Sequence, residues 1–289
     1  DGGRDTAGFR IVTFNFLAGG SRKRGRHWSR VVEAFSPDIV LAQECRRPED
    51  SPGEAFRAGP DDALLWSAAG AGRWGSAVFV RSGRLLPIAV PDFDGWVVGG
   101  ELVVDAREAD VGAREVDVGA REAGAADVAR AGGGGAAGRP DASTRPVRVF
   151  SVHCPAGKRG YVRTLHEILD RMLPLAAGAD VVLGGDFNVA AGYRGPDEPI
   201  RMSRGERELL DRITGELGLI PCWQTANPGQ TLAQTLRWTG NRAAPYHCDG
   251  IFVPASWRDR LVECTVAEGP EWERLSDHNP VVATFAAPS

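Results

Sequence analysis

The sequence predicts an α/β fold in which two packed β-sheets are flanked by helices. Three observations predict it. Short apolar runs bounded by glycine, proline or polar residues recur along the chain, which is how buried strands read. Residues 161–175 and 204–217 repeat apolar residues at helical spacing. Between residues 64 and 104, four short strand-like runs follow one another closely. Such a mixture of elements fits two sheets with helices on their outer faces.

The elements follow in order. Residues 6–17 read as the first strand. A basic loop at 21–30 leads into a helix that runs through Phe35, and Ser36-Pro37-Asp38 stops it. The next strand ends at Glu44, and a Pro/Gly/Asp-rich loop follows to about Asp62. Residues 64–67, 76–81, 85–90 and 96–104 then suggest an antiparallel meander. From 105 to 145 the composition turns small, charged and glycine-rich, with the near-repeat DVGAREV and DVGAREA at 110–116 and 117–123. The heptad is too short, and Ala, Gly and Val make too poor a seam, for a coiled coil. The segment reads instead as an inserted, mobile hairpin extension.

The chain has 289 residues, enough for one large domain or two small ones, and 43% of them are hydrophobic. No apolar run reaches membrane-spanning length. The first ten residues hold no secretory h-region, so a cytoplasmic protein is the default expectation, although a removed signal peptide would leave the same sequence. A net charge of −4 argues against a nonspecific DNA-coating protein but not against a locally basic groove. The five cysteines, Cys45, Cys154, Cys222, Cys248 and Cys264, are odd in number and lack CxxC spacing. A disulfide scaffold or structural zinc site is thereby disfavoured. Cys45, Cys154 and Cys248 adjoin polar strand ends, where small buried packing residues are expected and a thiol nucleophile is the minor alternative.

Polar residues at the strand ends carry the chemistry. VVLGGDFN (181–188) is an apolar run that passes through two glycines into Asp186, Phe187 and Asn188. Strand side chains alternate, so Asp186 and Asn188 share a face, an arrangement that suits a hydrated metal and an anionic substrate. An Asx-type turn reads equally well there. Five more strand-like segments carry Asn15, Glu44, His153, Asp249 and the Asp277-His278 pair at their ends. Six such segments suggest a site gathered at one edge of a layered sheet fold.

The motifs TFNFL, LAQE, SVH, GGDFN, CDGIF and SDHNP, in this order from Thr13 to Pro280, resemble those of the endonuclease/exonuclease/phosphatase superfamily. That group includes exonuclease III-like and deoxyribonuclease I-like enzymes. GDFN with SDH is the specific part of the pattern. The resemblance implies a four-layer α/β/β/α sandwich, one catalytic domain over residues 1–289 with 105–145 inserted in it, and hydrolysis of phosphoester bonds assisted by Mg²⁺ or Mn²⁺. Hard oxygen ligands select such cations. It implies a metal pocket of Glu44 with Asn15 and Asp277. Asp186 is the candidate for orienting or deprotonating the attacking water, and Asn188 for donating its amide to a phosphoryl oxygen. His278 would bind phosphate or act as a base, with Asp249 fixing its tautomer. His153 would serve the phosphate or the leaving oxygen. His27, His166 and His247 read as structural.

The pattern departs from its relatives in places. Repair nucleases of this group carry an acid where this chain has Leu17 and a tyrosine where it has His153, which makes a dedicated abasic-site enzyme less expected. Gly250 replaces the arginine of the inositol 5-phosphatase motif, which puts that activity in doubt. For substrate binding, Lys158 and Arg159 leave the site directly after His153, and Arg237-Trp238 is expected in a rim loop, where arginine and tryptophan combine phosphate binding with base stacking. Nucleic acid is the leading substrate. A small-molecule phosphatase or a sphingomyelinase-like phospholipid diesterase is the alternative, and an inactive binding module is less expected because the whole polar set is present.

Overall fold

The computed structural model describes residues 8–20, 26–104, 145–158 and 160–286. The strands are β1 Phe9–Asn15, β2 Ile39–Cys45, β3 Leu64–Ala68, β4 Gly75–Val80, β5 Arg84–Ile88, β6 Val97–Val103, β7 Val147–His153, β8 Asp180–Asp186, β9 Leu219–Pro221, β10 Asp249–Pro254, β11 Leu261–Val266 and β12 Val281–Phe285. The helices are α1 His27–Phe35, α2 Tyr161–Ala176, α3 Arg204–Gly215, α4 Cys222–Ala226 and α5 Pro270–Leu275.

These strands form two six-stranded sheets. The first has the order β11-β12-β1-β2-β4-β3, the second β5-β6-β7-β8-β10-β9. In each, one pair is parallel, β1–β2 and β7–β8, and the other pairs are antiparallel. A parallel pair needs a crossover, and α1 and α2 supply it. The two orders correspond term by term. The β5–β6 hairpin takes the place in the second sheet that β11–β12 takes in the first, so each half of the chain lends a hairpin to the other half's sheet. The strand sequences follow suit: RIVTFN at 10–15 matches RVFSVH at 148–153, and IVLAQE at 39–44 matches VVLGGD at 181–186.

Alternation along the strands makes three apolar layers. Ile11, Leu41 and Val78 of the first sheet meet Val149, Val182 and Ile251 of the second between the sheets. On the outer face of the second sheet, Phe150, Leu183 and Phe252 pack against Leu165, Ile168 and Met172 of α2 and Leu209 and Ile213 of α3. On the outer face of the first, Val12, Phe14 and Val40 pack against Trp28 and Val31 of α1 and Trp272 of α5. Each fully buried side chain of this kind contributes about 1.5–3 kcal/mol. The result is the four-layer α/β/β/α sandwich.

Local chemistry sets the helix starts. Ser203 and Glu206 form a complete capping box at α3. Helix α1 has no capping side chain of its own, since Arg26 precedes it in a left-handed conformation. Buried Glu54, from the loop after β2, instead accepts from the Trp28 and Ser29 amides at 3.1 Å each. A carboxylate there also opposes the positive end of the helix dipole.

Two sequence expectations change, and a third is not reached. The first strand begins and ends inside 6–17, because Leu17 and Ala18 turn into positive φ. The meander divides: β3 pairs with β4 in the first sheet, whereas β5 and β6 pair in the second. Turn spacing reports that strands are successive, not which sheet accepts them. The hairpin-extension reading of 105–145 lies outside the described residues except for Arg145.

Candidate active site

β1, β2, β7 and β8 run to the same edge of the sandwich, and β10 starts there, with Asp249 opposite Asp186. β12 pairs antiparallel with β1, which brings the segment before it to the same place. The ends of parallel strands are where crossovers leave a crevice. Asn15, Glu44, His153, Asp186, Asp249 and His278 are gathered there, although the bonded pair Asn15 and Asp186 stands 171 positions apart in the chain.

Asp186 lies at the centre. Its carboxylate is buried, and its Oδ2 accepts from Asn15 Nδ2 at 3.0 Å. The imidazoles of His278 and His153 approach the same oxygen from two sides, their Nε2 atoms 3.8 and 3.9 Å away. Those gaps exceed a hydrogen bond, so neither imidazole is bonded directly to this oxygen. Its Oδ1 accepts the backbone amide of Asn188 at 2.9 Å, which the positive φ of 55° at Asn188 turns inward. Asparagine tolerates that conformation better than most residues. Asn188 Nδ2 donates to the Cys154 carbonyl at 3.0 Å and lies 3.4 Å from Asp186 Oδ2. Burial raises the pKa of Asp186; the His278 charge opposes that, Asp249 reinforces it, and His153 and the Asn188 amide oppose it. A neighbouring strand needs the glycine before it: Gly185 has φ +146°, and a Cβ there would stand 1.9 Å from the Val152 carbonyl oxygen.

His278 and Asp249 form a buried pair. The two carboxylate oxygens lie 3.1 and 2.9 Å from Nδ1. Nδ1 therefore carries the proton and donates to Asp249, leaving Nε2 toward Asp186. Burial pulls the imidazole's pKa down, but Asp249 and Asp186 outweigh it and lift the value to about 10. The pair is held from below. Thr235 Oγ1 accepts the amides of Cys248 and Asp249, and Ser276 Oγ accepts the His278 amide and donates to the Asn15 carbonyl. Neither hydroxyl carried a sequence signal beyond the serine's place in the SDH motif. His153 sits against Trp74 and Trp96, ring centroids 5.7 and 5.3 Å away, and these two walls had no sequence signal.

Glu44 approaches from the first sheet. Its φ of 47° lifts it out of the ladder, where the pairing with β4 shifts register between Ala42 and Cys45. Oε2 accepts the Ala18 amide at 2.6 Å, and Oε1 lies 3.2 Å from Asn15 Nδ2 and 3.5 Å from His153 Nε2. Asn15 Oδ1 accepts the Leu17 amide at 2.9 Å. The Asn15 side chain thus bridges two carboxylates that would otherwise repel. Asp277 Oδ1 is buried, has no hydrogen-bond partner among the described residues and lies 3.9 Å from His278 Nε2. Partly exposed Glu44 and the orphaned oxygen of Asp277 are each hard oxygen donors of the kind a divalent cation takes. Asp186, Cys248 and Asp249 also place three ligand atoms within 4.8 Å of one another. That group fits a hard cation less well: burial, with Asp249 and Asp186 next, holds the Cys248 thiol neutral, and Asp249 already accepts from His278.

The residues expected to bind substrate are placed differently from one another. Lys158 is exposed after β7, and Arg159 lies outside the described residues. Trp238 is 51% exposed. Arg237, expected at a rim, is buried: its guanidinium donates to Asn279 Oδ1 and to the Ser276 and His278 carbonyls, bracing the loop that carries His278. All five cysteines are free and buried, with burial pushing their thiols up, as packing residues require. His247 is buried, its Nδ1 on the Ala233 carbonyl.

Comparison with known proteins extends this picture. The sequence model of the endonuclease/exonuclease/phosphatase family matches residues 12–278. No curated protein matches the sequence. Among solved structures, an AP endonuclease from Archaeoglobus fulgidus superposes with a TM-score of 0.63 at 18% identity, over 96% of this chain and 100% of its own. A 3′ phosphatase, NExo, from Neisseria, solved bound to product DNA hairpin, gives 0.59 at 18% identity over 96% and 100%. The endonuclease domain of TRAS1, a telomere-specific non-LTR retrotransposon, gives 0.57 at 16% identity over 97% and 100%. At these identities the structures support the shared fold.

Proposed function

Because this chain belongs to the endonuclease/exonuclease/phosphatase family, we propose that it is a divalent-metal-dependent phosphodiesterase, acting through an activated water, with nucleic acid as its substrate class. One observation carries the reading. Two imidazoles and two carboxamides surround a single buried carboxylate, Asp186, at the edge where the parallel strands of both sheets end.

Glu44 and Asp277 would hold Mg²⁺ or Mn²⁺, with Asn15 fixing the Glu44 carboxylate. When bound, the cation would neutralise charge developing on the phosphoryl oxygens. Asp186 orients the attacking water and takes its proton, and its raised pKa makes it a stronger base than an exposed aspartate. His278, charged at neutral pH and held by Asp249, presents Nε2 to a phosphoryl oxygen. Asn188 keeps Asp186 in place through its amide and faces the same oxygen. His153, walled by tryptophans, serves the leaving oxygen. Lys158 and Trp238, with Arg159 nearby in sequence, belong to the substrate path. The single-domain organisation over 1–289 is part of the same proposal, because the site draws on strands from both ends of the chain.

Monoester hydrolysis is the second reading. It draws on the structural neighbour named a 3′ phosphatase. The test is hydrolysis of plasmid DNA, RNA, bis-p-nitrophenyl phosphate and p-nitrophenyl phosphate, each with Mg²⁺, Mn²⁺ or EDTA. Metal-dependent cleavage of the diesters supports the first reading, and turnover of the monoester alone moves the assignment to the second. No described helix is long and apolar enough to cross a membrane.

A further inference from the structure

Beside the strand-end site opens a cavity of about 420 Å³. Asn188 and Cys248, neighbours of Asp186 and Asp249, line it on the site's side. Tyr161, Trp238 and Tyr246 line it as well. Trp238 and Tyr246 meet edge to face, with centroids 6.1 Å apart. The wall is fixed to the reacting centre, since Leu236 bridges to both Tyr246 and His278 and the Arg237 amide donates to the Asp277 carbonyl. It is also shaped around the indole: a Cβ on Gly240 would stand 2.6 Å from the Trp238 ring.

A second cavity, of about 560 Å³, shares Arg194 with the first and is lined by Arg201 and Arg207. The Arg194 charge is spent on Glu198 at 2.7 Å, both side chains being buried. Arg201 and Arg207 are exposed and make no ion pair with any described residue. No carboxylate lines this cavity. Glu206, on the wall of the first, is occupied in capping α3. The order outward from Asp186 is therefore reacting centre, aromatic cavity, paired arginines.

We propose that this track takes a nucleic-acid strand, with the base next to the scissile phosphate in the aromatic cavity and a further phosphate on Arg201 and Arg207. The proposal deepens the phosphodiesterase reading and rests on it for the position of the scissile phosphate. An aromatic wall offers a π-face to any base, and a guanidinium pair matches phosphate oxygens. A phospholipid would instead need an apolar surface continuing outward, where this chain places two cations.

The test is fluorescence anisotropy of a labelled tetradeoxynucleotide in EDTA, so that no turnover occurs. Wild type, Trp238→Ala and the double variant Arg201→Ser/Arg207→Ser are compared. Competitors are the unlabelled strand, the same strand with one abasic position, and phosphatidylserine/sphingomyelin vesicles. Thermal unfolding verifies that each variant is folded. The double variant should lose about tenfold in affinity, and its salt slope should shrink by about 0.7, the value for one single-strand phosphate contact. Trp238→Ala should also lose about tenfold and should bind the intact and abasic strands equally. Unchanged affinity and slope in the double variant, or stronger competition by vesicles than by the strand, would overturn the proposal. Wild-type turnover of bis-p-nitrophenyl phosphate is read separately. Its absence counts against the phosphodiesterase reading, while strand binding with the expected losses would leave the track standing.

Discussion

Where β1 of the first half ends in Asn15 and β2 carries Glu44 one residue before its end, the corresponding β7 and β8 of the second half end in His153 and Asp186. Glu44 is partly exposed and is met by a backbone amide, whereas Asp186 is buried among imidazoles. The difference continues in the next strands. β10 opens with Asp249, but its counterpart β4 opens with Gly75, behind Trp74; His278 precedes β12, but Trp96 precedes the corresponding β6. The halves share a backbone plan and divide the labour. In the proposed reading the first half supplies Glu44 for the cation and the aromatic wall, and the second supplies Asp277 and the groups that would move a proton. An anion for a metal must stay charged and reachable, whereas a base gains strength from burial.

The sharpest break of that comparison is Asp186→Asn. Measured kcat should fall about 10³-fold, within the range for losing a general base, and extra Mg²⁺ should not restore it. Glu44→Gln should behave differently. Calorimetry should find Mg²⁺ bound about 10–100-fold more weakly, with activity partly recovered at high Mg²⁺. If both variants respond alike to added cation, the division of labour is wrong.

Stability distinguishes the halves too. Gln43 of β2 occupies the place of Gly185 in β8 and reaches Ser151 Oγ at 3.0 Å across the sheets. Gly185→Ala meets the Val152 carbonyl at a positive φ that disfavours any side chain, and should cost about 2–4 kcal/mol by urea unfolding. The His278–Asp249 pair gives a pH signature in metal-free protein. The folded pKa of His278, about 10, lies above the ordinary 6.5 of a histidine, so its stabilisation is complete below about pH 6.5 and is lost as pH rises toward 10. Denaturant midpoints taken in EDTA should fall over that window in wild type. Asp249→Asn should flatten the fall, and a wild-type curve that rises with pH would contradict the pairing. The smallest effect is expected at Trp74→Leu, where His153 keeps Trp96 as a wall; kcat should drop about threefold or less, an order-of-magnitude expectation for one lost ring contact.

Much of the site was readable because each key residue ends an apolar run. GGDFN marks Asp186 by its glycines, and SDHNP marks His278 by its place before a strand. Arg237 was not readable. In sequence it stands beside exposed Trp238 and looks like the same rim, yet its backbone turns it into the loop at Ser276 and Asn279. The cavity arginines Arg201 and Arg207 had no periodicity or motif to single them out, because a phosphate site needs only charges that converge in space.

The sequence by itself determined the strands, the main helices and the polar residue at each strand end, since these follow from local periodicity and turn chemistry. Tertiary structure alone decided which sheet takes each hairpin and which carboxylate becomes buried. It also decided that the last segment of the chain closes on the first strand. Those outcomes depend on contacts between residues far apart in the chain. Burial, and with it the pKa of Asp186 and of His278, exists only once those contacts have formed.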